Sequence, residues 1–363
     1  MVTFRPQRHK HSTSDSFPSC RGPISLDATL NFDGIAMSAH FSSARRRLLA
    51  TGAAALTYVA AAPIASAQSG ATGATGARVL RIGHQKGLLT LLKGRGTLEK
   101  RLAPLGVHVT WTEFPSGPPQ LEALNVGSID FGDVGEAPPV FALAAGAPFV
   151  YFGQGVQRPN SEGLLVPKAS PITSFAQLKG KRVGFTKGSN THYLYVRLLQ
   201  QAGFKPQDIT PVFLQPADAR AAFERGAIDA WLVWDPFLAV AQKSLDARLV
   251  TDGTGLVGNR LYFFTSRNYV QHNEDVLRAV IDELNTVDKW VEANRAAAAA
   301  EYAQLWNVPR DAVELVLSRQ RFGIERITRA TLAEQQQIAD AFLELNLLPK
   351  RIDVAHAAPP SLG

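Results

Sequence analysis

Past Met37 the chain contains neither cysteine nor methionine; the single cysteine, Cys20, and both methionines, Met1 and Met37, sit at its front end. The body of the protein therefore offers no disulfide, no cysteine-based metal site and no thiol nucleophile. Histidine is sparse as well. After residue 67 there are only His84, His108, His192, His272 and His356, and no two have metal-ligand spacing. No Gly-x-Ser-x-Gly elbow and no Walker loop occurs, so no catalytic constellation is expected, and no metal or other cofactor. Excess charge is also lacking where it would matter. The formal net charge is +7, but residues 1–67 carry seven Arg/Lys against three Asp. What remains is nearly balanced and shows no basic stripe interleaved with aromatics, which excludes nucleic acid as an expected partner.

What is present begins with a leader, residues 1–67. Arg45-Arg46-Arg47 precedes an Ala-rich apolar run to Ala62, followed by Pro63 and Ala65-Ser66-Ala67. A basic segment, a short apolar run and an A-x-A site make a secretion signal, about residues 37–67, with cleavage expected near Ala67 and the periplasm as destination. The arginine run resembles a twin-arginine signal, and the apolar run also suits the Sec route. The run is too short and too rich in Ala and Gly to cross the ~30 Å hydrocarbon core. Met37 is a second candidate start. Residues 68–77 read as a Gly/Ala/Ser/Thr linker.

From residue 78 onward short β-rich runs alternate with helical ones: Val79–Gly83, Val107–Trp111, Ser128–Phe131 and Phe149–Phe152 as strands, Thr97–Leu102, Pro119–Asn125 and Pro138–Ala145 as helices. That alternation indicates parallel βαβ units. The order then returns. Val79–Gly83 leads to Lys86-Gly87, and Val183–Phe185 leads to Lys187-Gly188. Leu121–Leu124 leads to Gly127-Ser128-Ile129-Asp130, and Ala219–Phe223 leads to Gly226-Ala227-Ile228-Asp229. Near-constant offset predicts two similar α/β lobes, with residues 78–165 opening lobe 1, 166–260 forming lobe 2, 261–352 returning to lobe 1 with C-terminal helices, and 353–363 a frayed tail.

In open α/β sheets, ligands bind beyond the carboxyl ends of strands. The candidate positions are therefore the strand-to-helix junctions. Gly188-Ser189-Asn190-Thr191 opens a helix at His192, where free N–H groups and short polar side chains can take an anion without a full cationic partner, or can simply cap the helix. Ser116-Gly117 offers a second such end. Asp235-Pro236 suits a helix start, and its carboxylate can also orient His192 or meet a ligand ammonium. Trp231 and Trp234 share a strand; one is expected in the core and the other against an alkyl or aryl group.

These junctions resemble the aliphatic-sulfonate-binding proteins of ABC importers, within the wider nitrate/sulfonate/taurine-binding group. The matching residues are Leu80–Gly87, Glu113–Pro118, Leu121–Asp130, Lys187–Ser189, Pro216–Phe223 and Trp234–Pro236. The resemblance, running from about Val79 to Ile352, implies an α/β, two-lobed periplasmic-binding-protein type II fold whose lobes are joined by a two-strand hinge. It implies a monomer that captures a small organic sulfonate anion and delivers it to an inner-membrane ABC permease and its ATPase. Carried over position by position, it implies Gln85, Ser116, Gly117, Gly135, Glu136, Ser189, Asn190, His192, Trp234 and Asp235 as ligand-binding residues. Relatives often have Asp at the position of Glu136, and some have Ser or Ala where this chain has Asn190 and Ser116. Taurine, nitrate, a sulfate ester or a thiamine-precursor pyrimidine are the other ligands the wider group allows. A desulfinase of the same general fold would need a cysteine.

Overall fold

A computed structural model describes residues 78–362. The expected signal, cleavage site and linker lie outside the described residues. The strands are β1 (Arg78–His84), β2 (Val107–Glu113), β3 (Phe131–Val134), β4 (Phe149–Gly155), β5 (Glu162–Val166), β6 (Arg182–Phe185), β7 (Thr210–Phe213), β8 (Ala230–Trp234), β9 (Arg248–Asp252), β10 (Tyr262–Ser266) and β11 (Ile324–Glu325). The helices are α1 (Leu88–Arg95), α2 (Thr97–Leu102), α3 (Gly117–Asn125), α4 (Pro138–Ala144), α5 (Asn190–Ala202), α6 (Pro216–Glu224), α7 (Phe237–Ser244), α8 (Arg267–His272), α9 (Glu274–Ala293), α10 (Arg295–Trp306), α11 (Arg310–Arg319) and α12 (Arg329–Glu344). None of them is long and apolar enough to cross a membrane.

Two sheets carry the two lobes. The first runs β11-β4-β10-β3-β1-β2 and the second β7-β6-β8-β5-β9. In each, a central strand lies parallel to both neighbours (β1 with β2 and β3, β6 with β7 and β8), followed by antiparallel partners. The first sheet is buried on both faces, against α1, α2, α9, α10 and α11 on one and α3, α4 and α12 on the other. The second packs α5 on one face, and α6 and α7 on the other. Burial on both faces explains why β8 reads as a continuous apolar run rather than as an alternation.

The repeat seen in the sequence is a repeat of contacts. Arg81 Nη2 bonds Asp130 Oδ1 (2.6 Å) and Arg182 Nη2 bonds Asp229 Oδ1 (3.0 Å). Each arginine also reaches the carbonyl of the preceding turn glycine, Gly127 or Gly226. A β-carbon on Gly83 would lie 2.6 Å from Ile129 Cδ1, and one on Gly184 would lie 2.4 Å from Ile228 Cδ1. Each glycine thus makes room for the isoleucine that follows the helix.

Three expectations are corrected. The change of lobe expected at residues 165 and 166 falls before Glu162, because β5 pairs with β8 and β9 and so belongs wholly to the second sheet. The strand expected at Ser128–Phe131 begins at Phe131. Gly127 and Ser128 N–H close the end of α3 on Leu124 and Ala123 carbonyls, and Asp130 is held by Arg81. The C-terminal tail is docked rather than frayed: Val354 and Ala357 are buried against α12 and the first sheet.

The chain passes between the sheets twice, at residues 156–161 and 253–261. These crossings are tied to each other by Arg158 N–H to Gly258 O, Gly253 N–H to Pro159 O and Asn259 Nδ2 to Arg158 O, each at 3.0 Å. They form the hinge, and the lobes are closed over it. Arg319 on α11 pairs with Asp235 at 3.1 Å, Ser116 Oγ donates to Gln215 Oε1 at 2.8 Å, and Phe141 stacks on His192.

Candidate functional site

The carboxyl ends of the strands meet at a cavity between the lobes, against the crossing segments. Its volume is about 130 Å³, on a scale where a water needs about 10–15 Å³, so it suits a small organic molecule. Lobe 1 contributes Gln85, Gly87, Asp133 and Gly135; lobe 2 contributes Asn190, Trp234 and Asp235. The crossings add Arg158, Ser161 and Asn259, and the C-terminal helices close the far wall with Asp288, Tyr302, Trp306 and Val316.

Arg158 dominates the electrostatics. Its guanidinium makes no hydrogen bond or ion pair within the described residues and faces Asp288, Asp133 and Asp235. Burial lowers its pKa from the ordinary value and those acids oppose the shift; a guanidinium stays charged regardless. Burial pushes Asp133 up to about 7, with Arg158 pulling the other way. Asp235 is pushed up to about 6 by burial, resisted by its ion pair with Arg319. The Arg158 guanidinium is thus a buried, unpaired cation among acids whose ionisation is costly, while Arg321 lines the same pocket from an exposed position.

Of the ten residues expected at the ligand, five line this cavity: Gln85, Gly135, Asn190, Trp234 and Asp235. Gln85 Nε2 donates to Asp133 O at 3.2 Å. Gly135 lets Asn190 approach, since a β-carbon there would sit 3.1 Å from Asn190 Oδ1. Asn190 Nδ2 in turn donates to Glu162 and, at 3.1 Å, to Asn259 Oδ1. Trp231 is the core tryptophan and Trp234 the cavity one. Asp235 does not orient His192; it takes Arg319 and the Ala239 N–H that opens α7.

The other five lie outside the cavity lining. Ser116 is fully buried in the seam between lobes, bonded to Gln215. Gly117 packs α3 on α4, where a β-carbon would strike Val134 and Pro138. Ser189 turns inward, donating to Thr186 O at 2.7 Å. His192 Nδ1 accepts from Gly188 N–H, and its ring lies among Phe141, Phe185 and Phe342. Burial and Lys187 depress its pKa to about 4, so it is a neutral aromatic plug. Glu136 lies behind the crossings, accepting Arg260 N–H, and burial lifts it to about 7.

Junction reasoning missed Arg158, Asp288, Tyr302 and Trp306; it took in Asp133 at the head of the junction Asp133–Pro138 without carrying it into the ligand set. Arg158 did carry a signal: it is a lone basic residue between Gly155 and Pro159, in a connection that changes sheets. Asp133 carried another, as an acid inside the buried β3 run Phe131–Val134.

A family model described as NMT1/THI5 like matches residues 105–294. A putative aliphatic sulfonates-binding protein of Escherichia coli (strain K12) is 41% identical over 278 residues, 76% of this chain and 86% of its own length. The chain belongs to the aliphatic-sulfonate-binding family. The alkanesulfonate-binding protein of Xanthomonas axonopodis pv. citri, solved bound to MOPS, superposes with a TM-score of 0.74 at 41% identity, covering 77% of this chain and 98% of that one. The periplasmic aliphatic sulphonate binding protein of Escherichia coli gives 0.71 at 40% identity, covering 78% and 92%. These family members are named for binding, not for catalysis, and the two-lobed binding-protein fold of this chain is theirs.

Proposed function

We propose that this chain is a periplasmic solute-binding protein that captures small organic sulfonates between its lobes and hands them, as a monomer, to an ABC permease and its ATPase. The observation that carries this reading is Arg158, an unpaired buried guanidinium facing the cavity between the lobes, one wall of which is apolar. A sulfonate is permanently ionised, and burying it unpaired would cost several kcal/mol, of the order of that for any desolvated polar group or more. A planar fork of N–H donors answers that need with charge-assisted bonds. Trp234, Trp306 and Val316 then receive the carbon tail. Nitrate and sulfate fill the anion position and leave that wall bare.

Residues from both lobes and the hinge line one cavity, so a ligand there favours the closed form, and the closed form is what a transporter can distinguish from the empty protein. A thermal-shift panel tests the reading, with short and longer alkanesulfonates, an aryl sulfonate, sulfate and nitrate. A ligand at ~100 times its Kd adds about 2.7 kcal/mol. Stabilisation by sulfonates above that by sulfate or nitrate is expected; a folded protein that no sulfonate stabilises would sink the reading.

A further inference from the structure

We infer that Arg319 latches the closed lobes: its bond to Asp235 forms only on closure and slows the escape of a bound ligand. The inference rests on the closure reading above and does not depend on which sulfonate binds. Arg319 ends α11, which lobe 1 carries: α11 packs on α10, and Ala312, Val313, Val316 and Leu317 share one core with β1, α1 and α9. Asp235 follows β8, the middle strand of the second sheet. Across that seam Arg319 Nη1 donates to Asp235 Oδ1 at 3.1 Å and Oδ2 at 3.3 Å, and Nη2 donates to Gln242 of α7. The paired side chains are only 11% and 6% exposed. The ion pair at the other end of these two helices, Lys243 with Asp311, spans 3.9 Å with both side chains exposed, so it adds little.

The pair adjoins the ligand site. Val316, one turn before Arg319, and Gln320, directly after it, line the cavity, as does Asp235. The repeat of the two lobes does not call for it. Ile82 and Gly83 pair with Phe131 and Gly132, as Val183 and Gly184 pair with Ala230 and Trp231. By that register the counterpart of Asp235 is Glu136, whose hydrogen bonds come from the backbone N–H groups of Arg260 and Asn259. The arginine that meets Asp235 comes instead from α11, beyond the repeat.

Closure decides what the pair is worth. With the lobes apart, both groups face water and neither needs the other. On closure Asp235 enters a dry seam. Burial opposes its ionised form, and Arg319 is the main group that restores it, with the Ala239 N–H and Arg158 contributing less. A sulfonate on Arg158 takes up that cation, so in the loaded protein Arg319 is the one left to Asp235. Without the Arg319 guanidinium a buried carboxylate keeps one backbone N–H, and the penalty falls on the closed form alone. The lobes then reopen sooner and the ligand leaves faster.

The test is stopped-flow binding of one alkanesulfonate, read by the fluorescence of the cavity tryptophans Trp234 and Trp306, to wild type, Arg319→Met, Asp235→Asn and the double variant. Arg319→Met should release the ligand about thirtyfold or more faster, with association within about threefold of wild type, as for truncating one partner of a buried charge pair. The double variant strands no charge and should return to within about fivefold of wild type, a rescue that a merely structural residue would not give. If methionine unfolds the protein, Arg319→Lys, which keeps the charge and loses the fork, should still speed release by about three- to tenfold. Unchanged release in a folded Arg319 variant, a loss confined to association, or single losses that simply add in the double variant would overturn the latch and leave the sulfonate reading standing. A folded wild type that binds no sulfonate overturns both.

Discussion

The two lobes follow one five-strand course, β2-β1-β3-β10-β4 in the first and β7-β6-β8-β5-β9 in the second, and they agree residue by residue wherever the course needs support. Arg81 and Asp130 match Arg182 and Asp229; Gly83 and Ile129 match Gly184 and Ile228; Phe114 N–H to His84 O matches Leu214 N–H to Phe185 O. They part at the strand ends. In the same register Asp133 stands opposite Leu232, Gly135 opposite Trp234 and Glu136 opposite Asp235. The fourth strand also differs in origin. In the second lobe it is β5, reached on leaving the first; in the first lobe it is β10, reached on returning. The shared residues hold the frame, and among the residues that differ Asp133, Gly135, Trp234 and Asp235 line the cavity. Function in this molecule lies in the departures from its own repeat.

Copying one lobe into the other should therefore affect binding at the departures and stability at the matches. The largest effect is expected from Gly135→Trp, which gives lobe 1 the counterpart of Trp234. Its β-carbon alone would press on Asn190, so the indole keeps the lobes from closing, and sulfonate affinity falls by about a hundredfold or more, some 2.7 kcal/mol by titration. Retained affinity would break the assignment of this strand end to the ligand.

At the matched pair, Asp130→Ala should cost about 2 kcal/mol in denaturant unfolding, because a buried carboxylate accepting from Arg81 N, Nε and Nη2 is lost. Asp229→Ala should cost less, since both partners are partly exposed. Arg182's hydrogen bonds hold the Asp229 carboxyl below the usual range. A carboxyl with a depressed folded-state pKa contributes stability above its unfolded pKa and loses it as pH falls through the folded one. The gap in melting temperature between wild type and Asp229→Ala should thus narrow from about pH 7 towards about pH 3. A gap that widens on acidification would contradict the pairing.

The repeat was legible because its residues act locally in each lobe: Gly-x-Ile-Asp after a helix recurs with the contacts that require it. Burial on both sheet faces likewise left readable apolar runs. The sheet to which Glu162–Val166 belongs was not legible, because an apolar strand of that length pairs equally well on either side of a crossing, and only long-range pairing with β8 and β9 decides. Of the ten residues the resemblance implied, Gln85, Gly135, Asn190, Trp234 and Asp235 line the cavity, where the strand ends converge by topology. Strand-end reasoning also named Ser116, Ser189 and His192, which lie off that lining with hydrogen bonds inside the seam. It missed Arg158 because that residue reaches the cavity from a connecting segment, and composition does not tell where a connection crosses.

The assignment of the anion to Arg158 is tested most directly by titrating wild type and Arg158→Met with one alkanesulfonate the wild type binds. Methionine keeps an unbranched apolar stem and removes the guanidinium. An affinity loss of about a hundredfold or more, with the melting temperature of the empty protein little changed, is the predicted result, in line with truncating one partner of a buried charge pair. Binding within about threefold of wild type, under 1 kcal/mol, would contradict it and place the sulfonate elsewhere.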